Sequence, residues 1–320
     1  MKAMLENIIC FCVALLPLMT QCIQNHAATK RLLDKMAIKG TNISKIFRPS
    51  VNGSLGQGMS GLTYKGTLLT IDKEVAMKFI SAEFENYAKN EHQAYKTLGA
   101  VNNTEKEVYG IPTLYHFGRW KNYFVLAITL LDSEFERRWK NCELTTMNKL
   151  IVFREMVRIT KYIHSRGICH GDTRIDNIMF RRNQGFIIDY NLAIDVKMNA
   201  KVVITCASRD WRKFLSDIAK TVEIEIDWSS FINPVHKFDQ ITHEGLKRVF
   251  RAFTATIYED RILEYNKVYG VIQEEIDRLK KHVVPIVSWM QHELVEEKFS
   301  NLSLDEVPSI ESIKFFNYSV

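Results

Sequence analysis

Two hydrophobic patterns occupy different parts of the chain. Short apolar and β-branched runs separated by turn residues cover residues 62–80, and a similar run covers 123–129. Such runs predict β-strands. Between them, residues 84–98 predict a helix that ends at Gly99, because glycine commonly follows the last helical turn.

Longer helices are predicted in the remainder of the chain. Thr145 or Thr146 can cap a helix that runs to His164 and ends before Gly167. Its apolar residues recur at helical spacing, namely Val152, Met156, Ile159 and Ile163. A further apolar stripe, stopped by Pro285, comprises Ile262, Tyr265, Tyr269, Ile272, Ile276, Leu279 and Val283. We expect this stripe to pack on its own domain, and a partner-binding helix is the alternative.

The N-terminus carries an almost purely apolar run over residues 8–19, which is too short to span a bilayer as a helix. The run follows Lys2 and precedes the small residues Ala27 and Ala28, which is typical of a secretory signal peptide. We therefore predict a secreted or secretory-pathway protein whose mature chain begins near residues 23–29. An uncleaved anchor, which would be the chain's membrane contact, and a packed N-terminal helix in a cytoplasmic protein are the alternatives.

Composition narrows the function. With 46% hydrophobic and 25% charged residues, the chain can build a sizeable core and is not intrinsically disordered. The net charge of +6 is spread along the chain without a long basic stretch, so we do not expect a nucleic-acid partner.

The cysteines show no metal or redox spacing. Four of the six lie outside the apolar N-terminal run: Cys22, Cys142, Cys169 and Cys206. No C-x-x-C pair is present, so buried or free thiols are the favoured interpretation. A disulfide becomes plausible if the chain is exported.

A glycine-rich loop is the first candidate binding element. Gly56, Gly58 and Gly61 form the pattern G-x-G-x-x-G. In dinucleotide-binding domains this pattern opens a helix, but here predicted strands follow it. We therefore expect the loop to join two strands of a hairpin and to cover nucleotide phosphates.

Lys78 lies within the apolar strand 75–80, where an unpaired ammonium group would be costly. It needs an anion, either a phosphate or a carboxylate from the following helix. Glu91 is the favoured partner, and Glu83 and Glu85 are the alternatives.

The segment 169–180 is the densest in chemically active residues. Asp172 and Asn177 lie five positions apart in a predicted loop, and Asp189 follows the next apolar strand. Phosphoryl transfer needs such residues: Asn177 and Asp189 supply oxygen ligands for Mg²⁺, and Asp172 can accept the proton of the acceptor hydroxyl.

Four motifs now stand in order: Gly56-x-Gly58-x-x-Gly61, Val75-Ala-Met-Lys78, His170-Gly-Asp172-(x4)-Asn177 and Asp189-Tyr-Asn-Leu-Ala193. This chain resembles the eukaryotic-type protein kinase superfamily, and most of all its casein-kinase and vaccinia-related branch. The resemblance is close over residues 45–215.

The resemblance implies an α+β, two-lobed fold with a small antiparallel β-rich N-lobe containing one helix and a larger, mostly helical C-lobe. The implied segments are a signal peptide or hydrophobic segment at 1–28, a linker at 29–44, a kinase-like domain at 45–300 and a tail at 301–320. The N-lobe would cover about 45–130 and the C-lobe about 131–300.

The resemblance also implies an ATP- and Mg²⁺-dependent serine/threonine protein kinase with ATP in the cleft and a protein substrate. Leu131 would lie near the adenine, Lys78 and the glycine loop would hold the phosphates, and Asp172 would be the catalytic base. Asp210 would brace the loop that carries Asp172, from a helix that begins at Ser208.

Three departures keep other functions open. Arg174 replaces the lysine that kinases place on the γ-phosphate, and the two side chains are not interchangeable. Asn191 replaces a glycine, although asparagine tolerates positive φ better than most residues. No Ala-Pro-Glu motif follows Asp189 before Asp210, so the activation segment is predicted to be short. A pseudokinase scaffold and a small-molecule kinase of the aminoglycoside or choline type are the alternative functions.

Overall fold

The computed structural model describes most of the chain between residues 26 and 282. The described residues are 26–43, 45–58, 60–102, 107–131, 145–181, 184–196, 200–220, 238–239, 241, 243–258 and 264–282. They divide into two compact units. The first comprises Met1–His92, Val101–Glu105 and Thr113–Leu130, and the second comprises Gln93–Ala100, Lys106–Pro112 and Leu131–Val320.

A five-stranded antiparallel sheet forms most of the first unit, with the strand order β1-β2-β3-β5-β4. Its strands are β1 (Phe47–Gln57), β2 (Gly61–Leu68), β3 (Lys73–Ser81), β4 (Leu114–Trp120) and β5 (Tyr123–Thr129). Buried and partly exposed residues alternate along β2, as expected for a strand with one face on a core. That core is rich in aromatic side chains and includes Phe47, Tyr64, Phe79 and Tyr123.

Residues 26–38 form helix α1, in the region where the sequence predicts the end of a signal segment and a linker. Leu33 is completely buried in the core beneath the sheet. The hydroxyl of Tyr64 donates a hydrogen bond of 2.6 Å to Asp34, and the hydroxyl of Thr29 donates one of 2.9 Å to Tyr123. Apolar burial and two hydrogen bonds thus hold this segment on the sheet. The apolar run 8–19 lies outside the described residues.

Helix α2 (Glu85–Thr97) follows a short 3-10 turn, Ala82–Phe84, and contributes residues to both units. Gly99 follows it with φ of 71°, a conformation that favours glycine and ends the helix as predicted.

Four helices dominate the second unit: α3 (Thr146–Ser165), α4 (Ala200–Lys220), α5 (Glu244–Tyr258) and α6 (Tyr265–His282). Thr145 caps α3 by accepting a hydrogen bond of 3.2 Å from the amide of Asn148. The prediction that α4 begins at Ser208 was wrong, since the helix begins at Ala200.

The helices of the second unit pack around an aromatic core. Phe153 of α3 contacts Phe214 of α4 and Phe250 and Phe253 of α5. Within the predicted C-terminal stripe, Tyr265, Ile272 and Ile276 are buried, so this face of α6 packs inside the unit as expected. Ile262, Val283 and Pro285 lie outside the described residues.

Two small antiparallel sheets complete the second unit. One pairs β6 (Ile168–Cys169) with β9 (Ile194–Asp195), and the other pairs β7 (Ile178–Arg181) with β8 (Gln184–Ile187). The predicted fold class is therefore confirmed: an α+β, two-lobed protein with a sheet-rich first lobe and a mostly helical second lobe. In the described ranges, no helix has both the length and the apolar content needed to cross a membrane.

Candidate active site

The glycine-rich segment lies at the end of the β1–β2 hairpin, as predicted. Gly56 pairs with Thr63, and the amide of Gly58 donates a hydrogen bond of 2.8 Å to the carbonyl of Gly61. A Cβ atom at Gly61 would collide with the backbone of Phe79, so packing inside the unit requires this glycine. At Gly56 and Gly58 a Cβ atom would meet no protein atom within 4 Å. Packing does not demand these two glycines, and the open space beside them fits close approach by a phosphate.

Lys78 and Glu91 form a buried ion pair. The Nζ atom of Lys78 donates a hydrogen bond of 2.8 Å to Oε2 of Glu91. The side chain of Lys78 is 14% exposed and that of Glu91 is 1% exposed. β3 supplies the lysine and α2 the glutamate, which is the pairing that the sequence favours; Glu85 instead pairs with Lys89. The ammonium group is therefore fixed in position by a carboxylate that water scarcely reaches.

The loop 170–177 of the second unit is organised around Asp172. The amide nitrogen Nδ2 of Asn177 donates to the backbone carbonyl of Asp172 at 2.8 Å and to its Oδ2 at 3.2 Å. Nε of Arg174 lies 3.1 Å from Oδ1 and 3.3 Å from Oδ2. The loop thus brings together three of the predicted site residues.

Lys213 of helix α4 is a second cation on Asp172. Its Nζ atom donates to Oδ1 of Asp172 at 2.7 Å and to the carbonyl of Gly171 at 2.9 Å. Partial burial alone would raise the pKa of the Asp172 carboxyl, but the hydrogen bond and charge of Lys213, helped by Arg174, hold this pKa below its usual range. Asp172 is therefore ionised at neutral pH and able to accept a proton.

Asn177 and Asp189 lie at the same end of the β7–β8 hairpin. Ile178 pairs with Ile187 at that end, and the amide of Ile188 donates to the carbonyl of Asn177 at 2.9 Å. Both contacts of Asn177 with Asp172 use its nitrogen, so they do not consume its amide oxygen. In the described part of the chain, no group of three or more His, Cys, Asp or Glu side chains could hold a metal ion. A site for Mg²⁺ here would therefore rely on Asn177, Asp189 and oxygen atoms from a ligand.

Asp189 itself adopts a left-handed conformation with φ and ψ both 67°. Few residues other than glycine do so, and such outliers concentrate at functional sites. Asn191, which replaces a glycine and could tolerate positive φ, lies in the 3-10 turn Tyr190–Leu192 and does not adopt it. The positive φ falls instead on the aspartate two residues earlier, so the replacement of glycine by Asn191 puts no strain on this turn.

His170 connects this loop to the strand before Asp189. Its Nδ1 accepts a hydrogen bond of 3.2 Å from the amide of Asp172, so Nε2 carries the proton and donates to the carbonyl of Ile188 at 2.9 Å. Complete burial lowers the pKa of His170 despite the nearby carboxylates of Asp210, Asp189 and Asp172, which act in the opposite direction. The imidazole is therefore neutral and structural.

Asp210, on helix α4, braces the loop 170–177, as predicted. Its Oδ2 accepts from the amide of His170 at 2.9 Å and from Nε2 of His164 at 3.0 Å, and its Oδ1 accepts from the amide of Gly171 at 2.8 Å. Burial would raise the pKa of this carboxyl, but these donors outweigh burial and lower it. A buried carboxylate thus holds two consecutive amides of the loop in place.

Cys169, which precedes the loop, forms a disulfide with Cys206 of α4. The Cα atoms are 5.8 Å apart, within the range that a disulfide spans. The favoured interpretation of these two cysteines as free or buried thiols was therefore wrong. Cys142 and Cys22 lie outside the described residues.

Sequence reasoning missed Lys213, His164 and the cysteine pairing. Lys213 lies three positions after Asp210, and that helical spacing was the available sign that both side chains face the same loop. Leu131, predicted near the adenine, lies two residues after the end of β5 and is partly buried.

Comparison with known families matches this chain to the protein kinase domain over residues 50–215. The matched segment covers more than half of the chain and contains the glycine-rich segment, the Lys78–Glu91 pair, the loop 170–177, Asp189, Asp210 and Lys213. This match supports the assignment of the chain as a phosphotransferase of the protein kinase type, and it implies the use of ATP. The chain belongs to the protein kinase domain family.

Proposed function

We propose that this kinase transfers the γ-phosphate of ATP to serine or threonine hydroxyl groups of a protein substrate. The observation that carries the proposal is the setting of Asp172: a carboxylate, 15% exposed, held by Lys213, Arg174 and Asn177. Such a group can orient an acceptor hydroxyl and take its proton.

The remaining site residues divide into two sets. In the first unit, the open space beside Gly56 and Gly58 and the buried Lys78–Glu91 pair fit the binding of phosphates. In the second unit, Asp172, Arg174, Asn177 and Asp189 fit the acceptor and the metal. We propose that the first set binds the phosphates of ATP and that the second set binds the acceptor and the metal.

Mg²⁺ would be held by the amide oxygen of Asn177 and the carboxylate of Asp189. Both are hard oxygen ligands, and the rest of the magnesium shell in such sites comes from phosphates and water. When bound, the ion neutralises charge on the transferred phosphoryl group. The protein's own residues hold that ion and the acceptor in position.

The test is phosphate transfer from labelled ATP by the full-length chain to a broad panel of peptides, followed by identification of the phosphorylated amino acid. The proposal predicts labelled serine or threonine and almost no labelled tyrosine. Labelled tyrosine alone would contradict the acceptor assignment while leaving the kinase intact. ATP binding without transfer to any acceptor would favour the pseudokinase alternative.

A second acceptor class has one observation in its favour. Helix α4 already begins at Ala200, so few residues follow Asp189 before it. We propose that the activation segment is correspondingly short, which would provide little platform for a peptide and would suit a small hydroxyl-bearing molecule. Including alcohols and amino sugars in the panel separates the two classes, and labelled metabolites without labelled peptides would select this one.

Placement in the casein-kinase and vaccinia-related branch stays a prediction that rests on His170-Gly171-Asp172 and Asp189-Tyr190.

We also propose that the protein acts in the secretory pathway or outside the cell. The Cys169–Cys206 disulfide supports this, because such bonds persist in oxidising compartments and are rare in the cytosol. N-terminal sequencing of the native protein tests the proposal. A mature chain that begins near residues 23–29 is expected, and an intact Met1 on a cytosolic product would contradict it.

A further inference from the structure

Lys213 contacts the carboxylate of Asp172, the candidate base, more closely than Arg174 does. Its Nζ atom lies 2.7 Å from Oδ1 of Asp172, whereas Nε of Arg174 lies 3.1 Å from the same oxygen. Lys213 also donates to the carbonyl of Gly171, the residue before Asp172. One ammonium group therefore fixes both the backbone and the side chain at the reacting position.

The helix that carries Lys213 is itself fixed to the same loop. Asp210 lies one helical turn before Lys213, so both side chains project from the same face of α4. Asp210 accepts from the amides of His170 and Gly171, and Lys213 donates to the carbonyl and the carboxylate that follow. One turn of α4 thus pairs with both the donors and the acceptors of the loop.

Arg174 is placed differently. It belongs to the loop itself, two residues after Asp172, and its side chain is 49% exposed. Nε contacts both oxygens of Asp172 at distances longer than that of Lys213. An exposed guanidinium on a loop can turn toward an arriving phosphate, which it binds with a planar fork of donors. Lys213, with two contacts from a helix, is the more constrained of the two cations.

We propose that Lys213 is a positioning residue that holds the carboxylate of Asp172 in its reactive orientation, which frees Arg174 to bind the transferred phosphate. This proposal rests on the proposed kinase function. The two tasks are assigned to separate cations on separate elements. Lys213 acts through Asp172 and does not itself contact the substrate.

This division predicts different kinetic effects for the two cations. Lys213→Met is expected to lower kcat by about 10- to 100-fold, because a misplaced catalytic group costs up to about 100-fold, with little change in the KM for ATP. Arg174→Met is expected to raise the KM for ATP as well as to lower kcat. Lys213→Arg keeps the charge and is expected to recover most of the lost kcat.

A double-mutant cycle distinguishes the proposed positioning role of Lys213 from a merely structural role. In an Asp172→Asn background, Lys213→Met is expected to cause little further loss of kcat, because its effect passes through Asp172. Additive losses would overturn the proposal. Lys220→Met is the matched control: this lysine lies on the same helix, is 69% exposed and contacts Asp217 instead of Asp172. Its kcat should equal that of the wild type.

Thermal unfolding of each variant shows whether it folds, and if Lys213→Met does not, Lys213→Gln replaces it in the cycle. Wild-type kcat in a folded Lys213→Met or Lys213→Gln variant would overturn this inference alone. A wild-type protein that transfers no phosphate to any acceptor would overturn the proposed function, and this inference with it.

Discussion

Cys169 is joined to Cys206 by a disulfide, so the residue directly before His170 is covalently attached to helix α4. The same helix holds the following residues of the loop through Asp210 and Lys213. A covalent bond and a set of polar contacts therefore act on the same short segment. Loss of the bond should affect both the stability of the second unit and the precision of the site.

The first prediction concerns this disulfide. The bond closes a loop with a sequence separation of 37, and a chain-entropy estimate gives about 3–4 kcal/mol of stabilisation for a loop of this length. Reduction should therefore lower the unfolding temperature of the wild type, as measured by circular dichroism with and without dithiothreitol. The Cys169→Ala/Cys206→Ala variant is the control and should not respond to the reductant. An equal response of both proteins would show that the bond contributes nothing.

The second prediction concerns the Lys78–Glu91 pair. Lys78→Met leaves a carboxylate that is 1% exposed without its ammonium partner, which should lower the free energy of unfolding by about 3–5 kcal/mol. Lys78→Met/Glu91→Leu removes both charges and should recover much of that stability in urea denaturation. Its phosphate transfer should stay as low as that of the single variant, because the ammonium group is still missing.

The matched control for this pair is Lys65→Met, which removes the ammonium group of the exposed Lys65–Glu74 pair on the same sheet. Exposed pairs contribute about 0–1 kcal/mol, so this variant should be close to the wild type. A double variant with wild-type activity would show that Lys78 has no part in the reaction.

The third prediction concerns Asp210. Asp210→Asn weakens the acceptor for three donors, and the lost hydrogen bonds should lower the free energy of unfolding by about 2–4 kcal/mol. Because the amides of His170 and Gly171 lose their support, kcat should fall while the KM for ATP changes little. Asp217→Asn, at a more exposed carboxylate on the same helix, should lose less stability. An Asp210 variant with unaltered kcat would contradict the bracing role.

The fourth prediction is a pH dependence of stability. Burial lowers the pKa of His170 in the folded state, so between that pKa and about 6.5 the unfolded chain binds a proton that the folded chain does not. The contribution of His170 to the free energy of unfolding is therefore complete above about pH 6.5. It falls as the pH drops below that value, by at most about 1.4 kcal/mol per pH unit for one histidine.

Because burial also lowers the pKa of His26 and His116, the slope measured for the wild type is a sum. The difference between the wild type and His170→Asn isolates the contribution of His170. Urea denaturation between pH 5 and pH 7.5 should give a smaller slope for this variant. Equal slopes would mean that His170 titrates normally in the folded protein.

Much of this architecture follows from local patterns. The strands around Lys78 and the helix that carries Glu91 are short and strongly patterned, so the pairing of these two side chains could be anticipated. The position of the glycine-rich segment in a hairpin could also be predicted, because strand patterns lie directly after it. Asp210 was expected to brace the loop only through the family resemblance.

Contacts between segments that are distant in the chain could not be predicted from such local patterns. Lys213 is 41 positions from Asp172, and the sequence shows it as one of several cations on a helix. The pairing of Cys169 with Cys206 depends on β6 and α4 lying side by side, which no spacing rule encodes. The apolar run before residues 26–38 favours a signal segment and a linker there. Only the structure, through the burial of Leu33, shows that these residues form a helix packed on the sheet.

The most direct test of the central claim measures phosphate transfer from labelled Mg-ATP by the full-length chain and two of its variants. Asp172→Asn removes the proposed base and should lower kcat by about 10²- to 10⁴-fold, and Asp189→Asn should remove the response to Mg²⁺. Both variants should unfold at temperatures near that of the wild type. Folded variants that transfer phosphate at the wild-type rate would contradict the assignment of this site as the catalytic centre.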